Sequence, residues 1–436
     1  MKIFKNKFLT SAFVLMLSGM ATKILGLIIK VIFTRIVGTK TIGLYSIVMP
    51  TYSLLLTIST LAMPTTIAKL IAQKKDMKVL NSATVIILLV NISLIILMHL
   101  ASPFIANNLL REKDAYYLLI AMSYTLPFAS LACILKGYFY GIQKNVPHVV
   151  SNVIEQIIRL TLVIVIMPKL IKISYVHAAV GLILTSFFTE LASVITFLSF
   201  MNKKDAINLS KIKLDKQISK NILGLSLPTV ASKIVGNICY FFEPIILTNL
   251  LLYKGFSSDY IITEYGAYNA YAISTLTIPS FFITAIALAL IPEVTKHLET
   301  HNYRLVKKRL REGFLLTFLL GLSFTMMIYL FRDKILLFLY NTTMGSNYIK
   351  VLAPFFILFY LETIFASFMQ AANKTKITLK ITIIASFIKL LSMILLIFLN
   401  FGIYSLIISE IIDIIIVVAL NYKYYRNYLK KLKKHY

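Results

Sequence analysis

Lysines recur where an apolar chain should not carry them. Lys23 sits in "ATKILG", residues 21–26, inside an apolar stretch that runs from Phe8 to Phe33. Lys30 follows seven residues later, on nearly the same helical face, with Thr34 continuing the stripe and Arg35 beside it. A near-copy, "ASKIVG" at 231–236, places Lys233 in a second apolar stretch, followed by Asn237, Tyr240 and Glu243. A third segment, "PHVVSNVIEQIIRL", puts His148, Asn152, Glu155 and Arg159 on one helical face, where Glu155 and Arg159 are spaced to pair. Ammonium groups in a low-dielectric cleft suit one task above others, the binding of an anion, because charge attraction there is little screened.

Such groups need a scaffold, and the composition names its class. The 436 residues are 58% hydrophobic with a mean hydropathy of +0.83, and 14% are charged against about 25% in soluble domains. Apolar stretches long enough to cross a bilayer, about 20 residues each, recur throughout. The pattern predicts an all-α polytopic membrane protein of twelve transmembrane helices: 8–33, 43–72, 79–101, 115–142, 146–168, 174–201, 221–249, 264–295, 312–331, 348–372, 377–399 and 402–422. The first follows Lys2, Lys5 and Lys7 as a signal peptide would, but it runs too long and lacks a small-residue cleavage site.

The formal charge of +28 does not call for nucleic acid, because its placement follows topology. Basic residues concentrate in the runs 203–220, 296–311 and 423–434, which fall on one side of the membrane. By the positive-inside bias both termini are expected in the cytoplasm. Contact of these runs with anionic lipid heads is the other reading of the same charge. Cys133 and Cys239 lie within spans without a Cys-x-x-Cys pattern, and the six histidines form no metal motif, so neither disulfide nor metal is expected.

The two hexapeptides begin two halves. After them Gly43-Leu44-Tyr45 matches Gly266-Ala267-Tyr268, Pro50 and Pro64 match Pro279 and Pro292, and 141–144 matches 371–374. The last offset carries Arg159 onto Lys389. The expected organisation is an N-terminal six-helix lobe (1–201), a basic cytoplasmic linker (202–220), a C-terminal six-helix lobe (221–422) and a basic cytoplasmic tail (423–436). Two pseudo-symmetric bundles of like orientation should surround a central cavity, with the prolines of the second and eighth helices as hinge or kink positions. Lys23 and Lys233 then stand at equal depth. A mid-bilayer lysine costs about 2.5–3.5 kcal/mol, so facing a cavity or an ion pair is expected, while Lys30 and Arg35 are near enough to an interface to snorkel. Glu190, Glu362, Lys389, Glu410 and Asp413 are weaker candidates of the same kind.

The segment "TKILGLIIKVIFTRIVGTKTIGLYSIVMPTYSLLLTISTLAMPTTIAKLIA" resembles the opening of the stage V sporulation protein B family. "PHVVSNVIEQIIRL", "YFFEPIILTNLL" and "YGAYNAYAISTLTIPSFFITAIALALIPEVTK" continue the resemblance from residue 10 to about 300. These are polysaccharide transporters of the multidrug/oligosaccharidyl-lipid/polysaccharide exporter superfamily, related to lipid II flippases. The resemblance implies alternating access and export of a lipid-linked sugar precursor across a bacterial cytoplasmic membrane. It matches Lys23, Lys30, Arg35, Glu155, Gln156, Arg159 and Glu243 to family positions, whereas Lys233, Asn237 and Tyr240 come from the repeat and the helical stripe. Lys30 stands where an arginine is usual, and the chain has twelve spans where many members have fourteen.

The expected substrate is therefore an isoprenoid-diphosphate sugar, such as a peptidoglycan precursor, handled by a monomer among membrane lipids. No cofactor is expected, and Na+, H+ and membrane potential stand as alternative driving forces. A multidrug exporter of organic cations is the alternative within the superfamily, for which the cavity should be acidic. A membrane-embedded polymerase or glycosyltransferase would need a positioned acid or base, and Asp259 and Asp333 are isolated, so no catalytic residue is assigned.

Overall fold

The structure is a computed structural model that describes residues 7–73, 76–201 and 215–434, with side chains described from residue 21 to 428 apart from Lys23. The Lys23 side chain, most of the basic linker and the end of the tail thus lie outside the described residues. All regular structure among the described residues is helical. In chain order the helices are α1 (Lys7–Thr60), α2 (Met63–Gln73), α3 (Lys78–Phe104), α4 (Ala115–Gly141), α5 (Val146–Ile173), α6 (Tyr175–Phe200) and α7 (Lys216–Tyr253). They continue as α8 (Ser258–Gly266), α9 (Ser274–Leu276), α10 (Ser280–Glu299), α11 (Tyr303–Tyr340), α12 (Ser346–Ala371), α13 (Thr375–Phe398) and α14 (Tyr404–Lys434).

Eleven stretches among the described residues are long and apolar enough to cross a membrane. One of them, Ile24–Gln73, has 50 residues, which at 1.5 Å per residue is more than twice the ~30 Å hydrocarbon core. It contains two spans, so the twelve expected helices are present. The chain turns between those two at Gly38 (φ 76°, ψ 170°), a backbone region that only glycine occupies readily.

The second span breaks where proline chemistry dictates. Pro64 can neither donate to the Thr60 carbonyl nor fit its ring beside it, and α1 ends at Thr60. Leu61 and Ala62 then take positive φ (46° and 49°) before α2 resumes. Pro50, in contrast, is carried inside α1. In the eighth span the positions reverse: a π-helical stretch, Ala267–Ile273, and α9 lead to a turn over 277–279 that ends at Pro279, while Pro292 rides inside α10. The two halves break at non-matching prolines.

Elsewhere the repeat is visible in the backbone. α4 ends with Gln143 N–H on the Tyr140 carbonyl and Lys144 N–H on the Phe139 carbonyl, with Gln143 at φ 57°. α12 ends identically: Asn373 N–H on Gln370, Lys374 N–H on Met369, and Asn373 at φ 55°. Both are Schellman caps, which satisfy carbonyls left open at a helix end.

The chain divides into two compact units, Met1–Phe241 and Phe242–Tyr436, so the division falls inside α7. In the first, Ile67, Ile87, Leu135 and Phe139 pack with Ile222 and Val230 from the start of α7. A buried polar knot lies beside the break of the second span. Ser59 Oγ donates to Asn91 Oδ1 at 2.8 Å and meets Ser130 Oγ at 2.5 Å, while Asn91 Nδ2 donates to the Ile87 carbonyl at 2.8 Å. In the second unit, Leu290, Val294 and Leu310 pack against Ile364 and Phe368.

Candidate functional site

In the first unit the candidate residues come from α1, α4, α5, α6 and the first part of α7. Lys30 is half-buried on α1, and its carbonyl accepts from Thr34 Oγ1 at 2.5 Å, so Thr34 is turned back onto its own helix. Arg35 is exposed. Between Lys23 and Lys30 stands Gly26. A Cβ built there would meet one atom within 4 Å, Gln156 Oε1, at 4.0 Å.

Glu155 and Arg159 do not pair, although their spacing on α5 permits it. Ser151 Oγ donates to Glu155 Oε1 at 3.0 Å and contacts Ser193 Oγ of α6 at 2.7 Å. Arg159 Nη2 instead donates to Thr189 Oγ1 of α6 at 3.3 Å. A hydroxyl of α5, Ser151, thus takes the Glu155 end of the expected pair and one of α6, Thr189, the Arg159 end. Asn152 Nδ2 and His148 Nε2 lie 3.4 Å apart on the same helix.

Two charged residues join this group. Lys136 of α4 and Glu190 of α6 lie within electrostatic range of each other, and Glu190 of both Glu155 and Arg159. Cys133 lies within range of Lys136, Glu155, Glu190 and Lys233, which ties the α7 lysine to the same region. Tyr45 and Tyr52 of α1 lie within electrostatic range of Arg159. Lys136 was not singled out from sequence because it falls near the end of its span; its signal was simply a charge within an apolar segment.

On α7 the expected stripe is split. Lys233 and Tyr240 are exposed, and Asn237 Nδ2 donates to Thr57 Oγ1 of α1 at 2.8 Å. Glu243, expected beside them, is turned into the second unit and is only 4% exposed. There Lys389 Nζ of α13 lies 2.6 Å from Glu243 Oε2 and 2.5 Å from Glu410 Oε2 of α14, and Tyr265 O–H donates to Glu243 at 3.2 Å. Glu362 of α12 and Asp413 of α14 lie within electrostatic range of this cluster.

The two units therefore differ in sign at the polar centre of each. The first gathers Lys136, Arg159 and Lys233 around Glu155 and Glu190. The second gathers Glu243, Glu362, Glu410 and Asp413 around Lys389. Arg159 and Lys389 hold matching places in the repeat, yet Lys389 is clamped by two carboxylates while Arg159 is in no ion pair with a described carboxylate. Cationic excess suits anion binding; the clamped lysine suits cohesion of three helices. No group of His, Cys, Asp and Glu among the described residues is disposed to hold a metal ion, and Cys133 and Cys239 are not joined in a disulfide.

Comparison with known proteins agrees with this architecture. The family model described as "Polysaccharide biosynthesis protein" matches residues 8–298, and the model described as "MatE" matches residues 244–395. Stage V sporulation protein B of Bacillus subtilis (strain 168) is 29% identical over 397 residues, which cover 88% of this chain and 77% of that protein. The lipid II flippase MurJ of the same organism is 24% identical, covering 88% of this chain and 76% of that protein. Among solved structures, the inward-facing conformation of a multidrug resistance MATE family transporter of the MOP superfamily matches with a TM-score of 0.78 at 15% identity, over 95% of this chain and 96% of that one.

Proposed function

The chain belongs to the polysaccharide biosynthesis protein family, as a multi-pass membrane transporter of the exporter superfamily and not an enzyme, and on that premise we propose that it is a flippase for an isoprenoid-diphosphate-linked sugar. The observation that carries this reading is the cationic excess of the first unit, where Lys136, Arg159 and Lys233 outnumber Glu155 and Glu190. A diphosphate supplies the missing negative charge, and its polyprenyl tail stays in the bilayer. Lys23, Lys30 and Lys233 hold the diphosphate; Arg35 receives it near the membrane interface. One relative, the lipid II flippase MurJ, is named for a cargo of this kind.

The substrate moves by alternating access from the cytoplasmic leaflet to the outer leaflet of a bacterial cytoplasmic membrane, with both termini cytoplasmic. The distribution of basic residues supports that orientation. The second and eighth spans are both broken, and the breaks at Leu61–Ala62 and at 277–279 accommodate the change of access. The alternative of an organic-cation exporter draws on the carboxylates of the second unit. Two of those four carboxylates already hold a cation of the protein's own, Lys389.

The test is reconstitution of the full chain in liposomes with fluorescent lipid II and, separately, other lipid-linked sugars. Exchange between leaflets in protein-containing liposomes, above that of empty ones, is the expected result. Absence of exchange for every lipid-linked sugar, with uptake of an organic cation instead, overturns the reading.

A further inference from the structure

α5 leaves three buried hydrogen-bonding groups unmet, and their demands are of opposite kinds. Gln156 is 8% exposed, and its Oε1 is buried with no hydrogen-bond partner. Arg159 Nε is likewise buried and unpartnered. His148 Nδ1 is the third such atom on α5; with Nε2 accepting from Asn152, Nδ1 carries the proton and is a donor. A buried polar atom without a partner costs about 1–3 kcal/mol, so three on one helix ask for an occupant.

The chemistry of that occupant follows from the inventory. Gln156 Oε1 accepts only, so it needs a donor; Arg159 Nε and His148 Nδ1 need acceptors. A fully ionised phosphate offers acceptors alone and leaves Gln156 unmet. A hydroxyl offers both. The three residues are spread over eleven helical steps of α5, from 148 to 159, about 16 Å along its axis, which is more than one small ion occupies. Space stands open before Gln156 because Gly26 has no side chain, and Tyr45 and Tyr52 lie within electrostatic range of Arg159.

We propose that α5, through His148, Gln156 and Arg159, with the space beside Gly26, forms a subsite in the first unit for the hydroxyl-bearing sugar head of the cargo, separate from the lysines that hold its diphosphate. This rests on the flippase reading above. It divides the work of the unit: Lys23, Lys30 and Lys233 read charge, and α5 reads the sugar. Lys136 and Glu190, on α4 and α6, border the subsite and set its charge.

The experiment compares binding by the purified full-length protein of two labelled lipids, a polyprenyl diphosphate carrying a disaccharide and the same polyprenyl diphosphate without sugar. Gln156→Leu removes the acceptor at nearly constant volume, and His148→Phe removes the Nδ1 donor. Gly26→Leu fills the space in front of Gln156 Oε1 while leaving all three polar side chains in place. Each should weaken binding of the sugar-bearing lipid about 10-fold or more while changing that of the bare lipid less than about 2-fold, a ratio one unpaired buried group can supply. Thermal unfolding of each variant identifies loss of fold, and Gly26→Leu answers the question if the polar variants do not fold. If the parent binds both lipids and the folded variants lose both equally, or lose neither, the sugar subsite is overturned and the flippase reading stands. If the parent binds neither lipid, the flippase reading fails and the subsite with it.

Discussion

Lys389 Nζ lies 2.6 Å from Glu243 Oε2, joining α13 to the part of α7 that belongs to the second unit. The same ammonium is 2.5 Å from Glu410 of α14, so one side chain fastens three helices. Lys389→Met would leave two buried carboxylates facing each other without their cation. Removing one partner of a buried pair costs about 3–5 kcal/mol, and that loss should appear as a large drop in the unfolding temperature in detergent. The double variant Lys389→Met/Glu243→Gln removes part of the stranded charge and should recover at least about 1 kcal/mol of that loss. Simple additivity of the two substitutions would count against the clamp.

The Glu243 side chain shows where reading from sequence alone reached its limit. The membrane spans were legible, because hydropathy is a local signal; of the four prolines expected to kink their helices, Pro50 and Pro292 ride inside α1 and α10. The partners of a charge within a span are not local. Glu243 lies ten residues after Lys233, and helical spacing placed it near that stripe, but its partner stands on α13. Glu155 and Arg159 failed as a pair for the same reason: i,i+4 spacing permits a contact, while Ser151 and Thr189 decide it. Lys136 was overlooked for its place in the sequence, and only the packing of α4 beside α5 and α6 gives it a role.

Lys30 is the described α1 lysine assigned to the diphosphate, and its charge, not its shape, is the property used. Lys30→Ala should slow leaflet exchange of a lipid-linked sugar at least about 10-fold, the scale of losing one charge-assisted contact. Lys30→Arg should keep or raise the rate, since a guanidinium adds a fork suited to phosphate. Initial exchange rates in liposomes at matched protein density distinguish these outcomes. Equal rates for parent and Lys30→Ala would remove Lys30 from the site.

The Ser59, Asn91 and Ser130 knot makes a separate demand on stability. It ties α1, just before the break, to α3 and α4 through groups that are all at most 1% exposed. Asn91→Leu keeps the volume but leaves Ser59 without its amide partner, at a cost of about 1–3 kcal/mol. Ser59→Ala should cost less, because Asn91 still donates to the Ile87 carbonyl at 2.8 Å. Unfolding midpoints of the two variants in one detergent test that order, and a reversed order would show that the knot is not held through Asn91.

Gly137 and Gly141 set how closely α4 approaches α2, and this closeness holds the segment that follows the break. A Cβ on Gly137 would fall 2.8 Å from Ile67 Cβ and 3.0 Å from the Pro64 carbonyl oxygen; one on Gly141 would fall 2.7 Å from Ile71 Cβ and 3.0 Å from the Ala68 carbonyl oxygen. Backbone oxygens cannot swing aside as a side-chain tip can, so α2 as a whole must shift. The two glycines are four residues apart, the small-residue spacing that lets membrane helices pack backbone to backbone. Gly137→Ala should therefore cost about 1–3 kcal/mol by overpacking, despite the better helix propensity of alanine. Gly224, on α7, has nothing within 4 Å of its Cβ position, and Gly224→Ala should be neutral or stabilising. Unfolding temperatures of the two single variants decide the matter: if they shift alike, the contact of α2 with α4 is looser than this geometry requires, and Pro64 alone would have to fix where α2 begins.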